Sequence, residues 1–325
     1  MARTVFVTGA AGFIGSRVAR VLRDGGDEVI AMVREPERQA ALRVQGVRLV
    51  AGDLGSAEAV RAAMTGSDAV IHLAGRYEVG IPVGEHPAMY EANVGVTERV
   101  LDAAIAQAIP RIVQISTIGV LGNSHGEVHD ETFQRDLGDG FLSYYDETKY
   151  RAHVAATTRI AAGAPIVIAM PGTVYGPHDH SAFGVLFSDL YHGRAHYVAL
   201  GDAGVSPTYV DDLAGGLIAA MERGRPGESY VLAGENMRLR DAFRIVAHAA
   251  GRRPPRLSMP SGLIRFGARI APNGGRLAGL PPNLAEIARA SAGVTYWASS
   301  AKAQADLGYR TRDLERGARD AYGRP

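Results

Sequence analysis

Short apolar runs recur along the first half of the chain. Thr4 to Thr8, Glu28 to Val33, Val47 to Ala51, Ala69 to Leu73, Arg111 to Ser116 and Pro165 to Met170 are rich in valine and isoleucine and read as strands. Their apolar residues do not alternate with polar ones, so both faces of each strand are to be covered. Between them lie alanine-rich stretches of helical period, long enough for crossover helices. The pattern predicts a doubly wound α/β fold around a parallel sheet.

After Met170 the rhythm breaks at Pro171-Gly172, Gly176-Pro177 and a His178-Asp179-His180 loop. We place a boundary there, with one domain over residues 1–171 and a smaller C-terminal, substrate-binding one over 172–325. Tyr209 to Met221 reads as a late helix and Ser229 to Leu232 as a late strand, so elements near 205–232 are expected to return to the sheet.

Composition narrows the function. The 325 residues are 46% hydrophobic and 21% charged with a net charge of +1, which gives no electrostatic case for nucleic acid and favours a small, nearly neutral partner. Cysteine is absent, which excludes disulfides, thiolate nucleophiles and thiolate metal sites. Met1-Ala-Arg-Thr leads straight into the first strand, and no apolar run is long enough to span a bilayer, so a cytoplasmic protein without membrane insertion is expected. His178 and His180 have no third ligand nearby in sequence, and no metal is expected.

The first strand ends in Gly9-Ala10-Ala11-Gly12-Phe13-Ile14-Gly15, followed by a helical stretch from Ser16 to Arg23. Glycines in such a loop make a tight turn, admit a pyrophosphate to the backbone N–H groups of Ala11, Gly12, Phe13 and Ile14, and let the helix pack on the strand. The second strand ends at Val33, where a cofactor lacking a 2'-phosphate would need an acid for its ribose. Arg34 and, one helical turn on, Arg38 offer two guanidinium groups to a 2'-phosphate instead, which favours NADP over NAD. Glu35 is the competing residue, since turned inward it would bind a ribose. Asp53-Leu54 is placed to meet the adenine edge, with a helix N-cap ahead of Ser56 to Met64 as the other role for Asp53. Leu73-Ala74-Gly75 brings small residues beside the pyrophosphate and ribose.

Only two of the 35 basic residues are lysines, Lys149 and Lys302. In a chain so biased to arginine, lysine is expected where a compact ammonium of tunable pKa is needed. Tyr145-Asp-Glu-Thr-Lys149 sets a tyrosine and that lysine four apart on one helix face. A neighbouring ammonium is expected to draw the phenol's pKa down toward the working range. The strand end Ile115-Ser116-Thr117 supplies a hydroxyl for a substrate carbonyl, Thr117 being preferred over Ser116. Tyr144 has no such partner, because Thr148 stands four residues after it.

Over nearly its whole length the chain resembles the extended short-chain dehydrogenase/reductase family, also called the NAD-dependent epimerase/dehydratase family. The resemblance rests on Thr8 to Gly15, Asp53-Leu54, His72 to Ala74, Asn93 to Thr97, Ser116-Thr117 with Gly122, Tyr145 to Lys149, Pro171 to Pro177, Tyr209 to Asp212 and Lys302 to Gly308. It implies a Rossmann sheet, hydride transfer at the nicotinamide, and a homodimer. Tyr145 is then the proton donor, Thr117 the hydrogen-bond donor to the reacting oxygen, and Lys149 the holder of the nicotinamide ribose. Asn93, Ser116, Pro171 and Thr173 are implied cofactor contacts. Gly119 and Leu121 stand in a stretch that usually reads Val-Tyr-Gly, which implies a more apolar substrate pocket.

Nucleotide-sugar members carry an asparagine and an arginine where this chain has Thr173 and Val205. With Gly227-Glu-Ser-Tyr-Val-Leu232, these differences resemble the dihydroflavonol-reductase-like branch, which reduces ketones or aldehydes on mostly apolar molecules with NADPH. An epimerase or dehydratase of nucleotide sugars is the alternative, and a non-catalytic NADP-binding sensor the second. Residues 242–285 hold seven arginines and no Asp or Glu, and read as a solvated lid or as a surface for an acidic substrate or a membrane.

Overall fold

A computed structural model of the chain describes residues 2–255, 257–270 and 283–323. The first half runs β1 (Thr4–Thr8), α1 (Phe13–Asp24), β2 (Glu28–Val33), α2 (Ala40–Val44), β3 (Arg48–Ala51), α3 (Ala57–Met64), β4 (Ala69–His72), α4 (His86–Tyr90), α5 (Val96–Ala106), β5 (Arg111–Ile115), α6 (Tyr144–Ala161) and β6 (Ile166–Pro171). The second half continues with β7 (Thr173–Tyr175), α7 (Ala182–His192), β8 (Tyr197–Ala199), β9 (Gly204–Val205), β10 (Pro207–Tyr209), α8 (Val210–Arg223), β11 (Ser229–Leu232), β12 (Met237–Arg238) and α9 (Leu239–Ala249). It closes with β13 (Leu257–Met259), α10 (Ser261–Ile270), α11 (Leu284–Ser291), α12 (Ala301–Leu307) and α13 (Leu314–Tyr322).

Each run expected as a strand forms one, within a residue at either end. Seven parallel strands make the main sheet in the order β11-β6-β5-β4-β1-β2-β3. Side chains of a strand point alternately to the two faces, which is why continuous apolar runs suit it. Val5, Val7, Ala31, Ile71 and Val113 meet the layer of α1, α8 and α12. Phe6, Ile30, Val70, Ile112 and Ile168 meet α3, α5 and α6 on the other face. Fully burying a side chain of this size stabilises by roughly 1.5–3 kcal/mol.

α1 begins at Phe13, three residues before the expected Ser16, because Ser16 N already donates to Gly12 O at 2.9 Å. The late elements return as expected: α8 packs on α1, and β11 pairs with β6. A smaller layer of α7, α9 and α13 buries Tyr175, Phe187, Tyr209, Phe243 and Leu314 among themselves. α12 lies against α8 and β11, so the C-terminal segment serves both layers. Of the basic 242–285 segment, residues 256 and 271–282 lie outside the described residues; the rest forms the end of α9, then β13, α10 and the start of α11. No described helix is long and apolar enough to cross a membrane.

Candidate active site

The strand order reverses between β1 and β4, and doubly wound folds bind ligands in the crevice at the carboxyl ends of such a pair. Gly9 leaves β1 with φ +69°, and a Cβ on it would lie 2.8 Å from Ala74 N. The loop after β1 and the strap Leu73-Ala74-Gly75 after β4 therefore touch backbone to backbone. A Cβ on Gly15 would overlap the Gly9 carbonyl, so α1 sits on the strand end only because this residue has no side chain. Gly12 caps α1 with extended backbone and no side-chain hydrogen bond, and the first turn holds no acid. The first-turn N–H groups of Phe13, Ile14 and Gly15 thus keep their positive end uncompensated. A Cβ on Gly12 would meet only the Gly9 carbonyl oxygen, at 3.2 Å. The donor set and the missing Cβ fit a dinucleotide diphosphate.

A buried hydrogen-bond chain fixes this crevice. Thr8 Oγ1 accepts from Leu73 N and Ala74 N at 3.1 and 3.2 Å, so its own hydrogen goes to His72 Nδ1 at 2.6 Å. His72 Nε2 then donates to Thr97 Oγ1 at 3.1 Å, and Thr97 donates to the Asn93 carbonyl at 2.7 Å. Every group in this chain has a defined role only if His72 is neutral. Burial, reinforced by the Lys149 charge, holds its pKa at about 3.

Asn93 sits in a π-helical turn, Glu91–Gly95, between α4 and α5. Its Oδ1 accepts from Arg76 N at 2.7 Å, and its Nδ2 donates to Arg76 O at 3.0 Å and to Thr148 Oγ1 at 2.9 Å. Expected as a cofactor contact, Asn93 has its amide fully engaged and is 2% exposed. Its observed work is to tie the strap to α6, since Thr148 donates onward to the Tyr145 carbonyl at 2.9 Å.

The start of α6 is set by Ser143, whose hydroxyl caps Asp146 N at 3.0 Å, and by a buried ion pair. Arg135 grips both carboxylate oxygens of Asp146 at 2.7 Å, with both side chains under a tenth exposed. Arg135 also donates to the Gly140 carbonyl and lies over the Phe141 ring. Breaking one side of such a pair strands a buried charge and costs about 3–5 kcal/mol. Nothing in the spacing of Arg135 and Asp146 announces this pair.

Tyr145 leaves the first turn of α6 to meet the edge of Tyr77, their ring centroids 4.9 Å apart at 86°. Here the structure corrects the sequence reading. The pKa of Tyr145 is raised, by burial first and then by Tyr77, Asp146 and Tyr296, not lowered by Lys149. The Lys149 ammonium points to the Ile115 carbonyl, 3.2 Å away at the end of β5. Burial brings Lys149 down to about 8. One turn further along, His153 Nδ1 pairs with Ser116 Oγ at 3.0 Å, and burial with the Lys149 charge lowers His153 to about 4. The four-residue step from Lys149 to His153 was a usable signal that the sequence reading passed over.

Ser116 is buried and committed to His153, whereas Thr117 is partly exposed and accepts from Gly119 N at 3.1 Å. That bond leaves the Thr117 hydroxyl hydrogen for another acceptor. Tyr144 stacks on His86 instead. Pro171 ends β6, and Thr173 opens β7 with its N–H on the Ser206 carbonyl at 2.9 Å. Val205 is buried in the apolar core of the smaller layer.

At the far end of the crevice, Arg34 is exposed and makes no ion pair among the described residues. Arg38 does not stand free beside it: the turn Pro36–Arg38 folds it onto Glu35 at 2.8 Å. Glu35 is thereby turned to Arg38. Asp53 is exposed and bonds Gly55 N at 2.7 Å, while the N-cap of α3 is Ser56, so the capping role considered for Asp53 falls away. Leu54 packs half-buried against the sheet's second face.

The profile of the NAD dependent epimerase/dehydratase family matches residues 5–233. The chain is 30% identical over 323 residues to a 2-alkyl-3-oxoalkanoate reductase of Stenotrophomonas maltophilia, covering 94% of each. Its structure is similar to the crystal structure of gox2253, with a TM-score of 0.85 and 30% identity over 99% of this chain and 97% of that one. A UDP-glucuronic acid 4-epimerase of Bacillus cereus shares the fold at TM-score 0.78 and 21% identity, over 98% of each chain.

Two glycine substitutions separate cradle from scaffold. Gly12→Ala should cost about 1 kcal/mol of stability or less, yet weaken nicotinamide dinucleotide binding by about 10- to 100-fold, the worth of a charge-assisted contact. Gly15→Ala should instead destabilise the fold by about 1–3 kcal/mol through overpacking. Thermal melts and fluorescence titrations distinguish the two; equal loss of stability in both would contradict the assignment.

Proposed function

The chain belongs to the NAD-dependent epimerase/dehydratase family, and from that premise we propose that it is an NADPH-dependent reductase of ketones or aldehydes on mostly apolar small molecules. The coarser statement, an NAD(P)-dependent oxidoreductase, already follows from the family and from the named relatives. The observation that carries the finer reading is the placement of Tyr145 and Lys149 four residues apart at the start of α6, with the Tyr145 pKa raised by burial. In this reading α6 presents a protonated phenol, as reduction requires.

The dinucleotide's diphosphate would rest on Gly9, Ala11, Gly12, Phe13 and Ile14. Its adenosine half would lie toward Arg34, Arg38, Asp53 and Leu54, its other half beside Leu73, Ala74, Gly75, Ser116, Pro171 and Thr173. The bound nicotinamide supplies the hydride. Tyr145 gives its proton to the substrate oxygen, and Thr117, its hydroxyl hydrogen unspent, donates to the same atom. Lys149, its ammonium on the Ile115 carbonyl, would hold the nicotinamide ribose. In this reading residues 1–171 with the return elements hold the cofactor, and the remainder shapes the substrate.

NADP over NAD is supported by Arg34, whose guanidinium has no ion-pair partner to give up among the described residues. The Arg38–Glu35 pair is exposed and contributes about 0–1 kcal/mol, so a phosphate would compete for Arg38. Val205, where nucleotide-sugar members carry an arginine, supports a substrate without a sugar diphosphate. That counts against the epimerase or dehydratase alternative, and retention of both Tyr145 and Lys149 counts against a non-catalytic sensor. The 30% identical reductase has a 2-alkyl-3-oxoalkanoate, a keto group on an alkyl chain that ends in a carboxylate, in its name.

Tyr145→Phe should keep cofactor affinity and lose at least about 100-fold in NADPH-dependent turnover, the usual worth of general acid catalysis. In the wild type the reduction rate should be level near neutrality and fall as pH rises through about 8, where Lys149 loses its proton. Retention of most activity by the phenylalanine variant, or a profile level to strongly alkaline pH, would contradict these roles.

Arg34→Ala should weaken NADPH by about 10- to 100-fold and leave NADH nearly unchanged, since one charge-assisted contact contributes roughly 1.5–3 kcal/mol. Titration of both cofactors by nicotinamide fluorescence checks this. A wild type that binds NADH as tightly as NADPH would overturn the preference.

A further inference from the structure

Six large apolar side chains stand exposed on two elements of the second half of the chain, Tyr197, Leu257 and Met259 on the β8–β13 ladder and Leu263, Phe266 and Ile270 on α10. Five of them are 60% exposed or more, Met259 somewhat less. Leu257 pairs in register with Tyr197 across β13 and β8, and Met259, two residues on, lies on the same face of that ladder.

α10 has an unusual distribution of side chains. At about 100° per residue, Ser261, Ile264 and Ala268 share one narrow stripe, the buried or half-buried one, and α10 packs on α11. Leu263, Phe266 and Ile270 fall within about 60° of one another on the opposite side. Arg265 and Arg269 occupy one flank between the two stripes. An ordinary surface helix turns its apolar stripe inward and its charges outward. α10 instead carries Leu263, Phe266 and Ile270 outward and only Ile264 of its large apolar residues on the inner stripe.

The surroundings are basic. Arg253, Arg265, Arg269 and Arg289 are exposed and make no ion pair among the described residues. Arg252, also exposed, donates to a backbone carbonyl. No Asp or Glu occurs in residues 242–285. The nearby acids are engaged: Asp202 accepts from Ser261, and buried Glu286 accepts from Tyr144 N and Asn283.

We propose that this face docks the protein reversibly on a bilayer surface that contains anionic lipid. Protruding aliphatic and aromatic side chains enter the headgroup boundary, and the bordering arginines meet lipid phosphates. A second copy is a poorer occupant, because a two-fold contact would set the same arginines against each other with no acid between them. The side chains also stand out from the surface, where a fluid acyl layer accommodates them without a matching groove. The proposal is independent of the catalytic reading, since docking requires neither cofactor nor turnover.

The test is flotation of the full chain with vesicles of phosphatidylcholine and phosphatidylglycerol, against vesicles of phosphatidylcholine alone. The wild type should float with the anionic vesicles and little with the neutral ones. Arg265→Gln with Arg269→Gln, two exposed changes that leave the packing of α10 intact, should weaken binding by roughly 30-fold, at about 1 kcal/mol per arginine. Leu263→Ser with Phe266→Ser should abolish it with an unchanged circular dichroism spectrum. Wild type that stays off anionic vesicles, or binds both kinds equally, overturns the proposal. So does a serine variant whose sedimentation velocity shows a dimer turned monomer, which would make the face a contact between copies.

Discussion

A lysine ammonium inside a protein loses its hydration, and its charge survives only through the acceptors left around it. Lys149 is 8% exposed, and the Ile115 carbonyl at the end of β5 is the acceptor that meets it. With the His153–Ser116 hydrogen bond, that contact joins α6 to the carboxyl edge of the sheet, beside Thr117. Burial, with the Lys149 charge in support, keeps its neighbours His72 and His153 neutral. A neutral His72 allows the chain from the Thr8 hydroxyl to the Asn93 carbonyl to close, and Asn93 in turn ties the strap after β4 to Thr148 on α6. Crevice, strap and α6 are thus joined by one hydrogen-bonded chain, with Lys149 tied separately to the end of β5.

The sheet was readable in the sequence because strands covered on both faces are apolar at every position, a pattern that survives without knowledge of partners. The glycine loop was readable for a similar reason: backbone approach leaves no freedom of residue type at Gly9 and Gly15. Interactions distant in sequence left no such trace. The Arg135–Asp146 pair and the edge contact of Tyr77 on Tyr145 join residues with no informative spacing. Arg34 and Arg38 were read as a pair because periodicity places them a turn apart; it does not register that Glu35 takes Arg38.

The direction of the Tyr145 shift could not be read from composition or spacing either. A lysine four residues away lowers a phenol's pKa only if its ammonium points there, and burial acts in the opposite sense. In this protein burial dominates, and the phenol's pKa is raised. An oxidation would begin by taking a proton from the substrate, for which a protonated phenol is poorly suited; a reduction begins with the phenol as it stands.

Around the start of α6 stand the ring of Tyr77 against Tyr145 and, at the end of β5, the partly exposed Thr117. The central claim is that a carbonyl is reduced there with net consumption of cofactor. It is tested most directly by supplying NADPH with ketones and aldehydes of increasing apolar bulk, following nicotinamide absorbance and recovering the product. The account predicts that absorbance falls in step with alcohol formed, one for one, for the bulkier apolar carbonyls. Conversion of a nucleoside diphosphate sugar with no net change in nicotinamide absorbance, alongside inertness toward all the carbonyls, would contradict it.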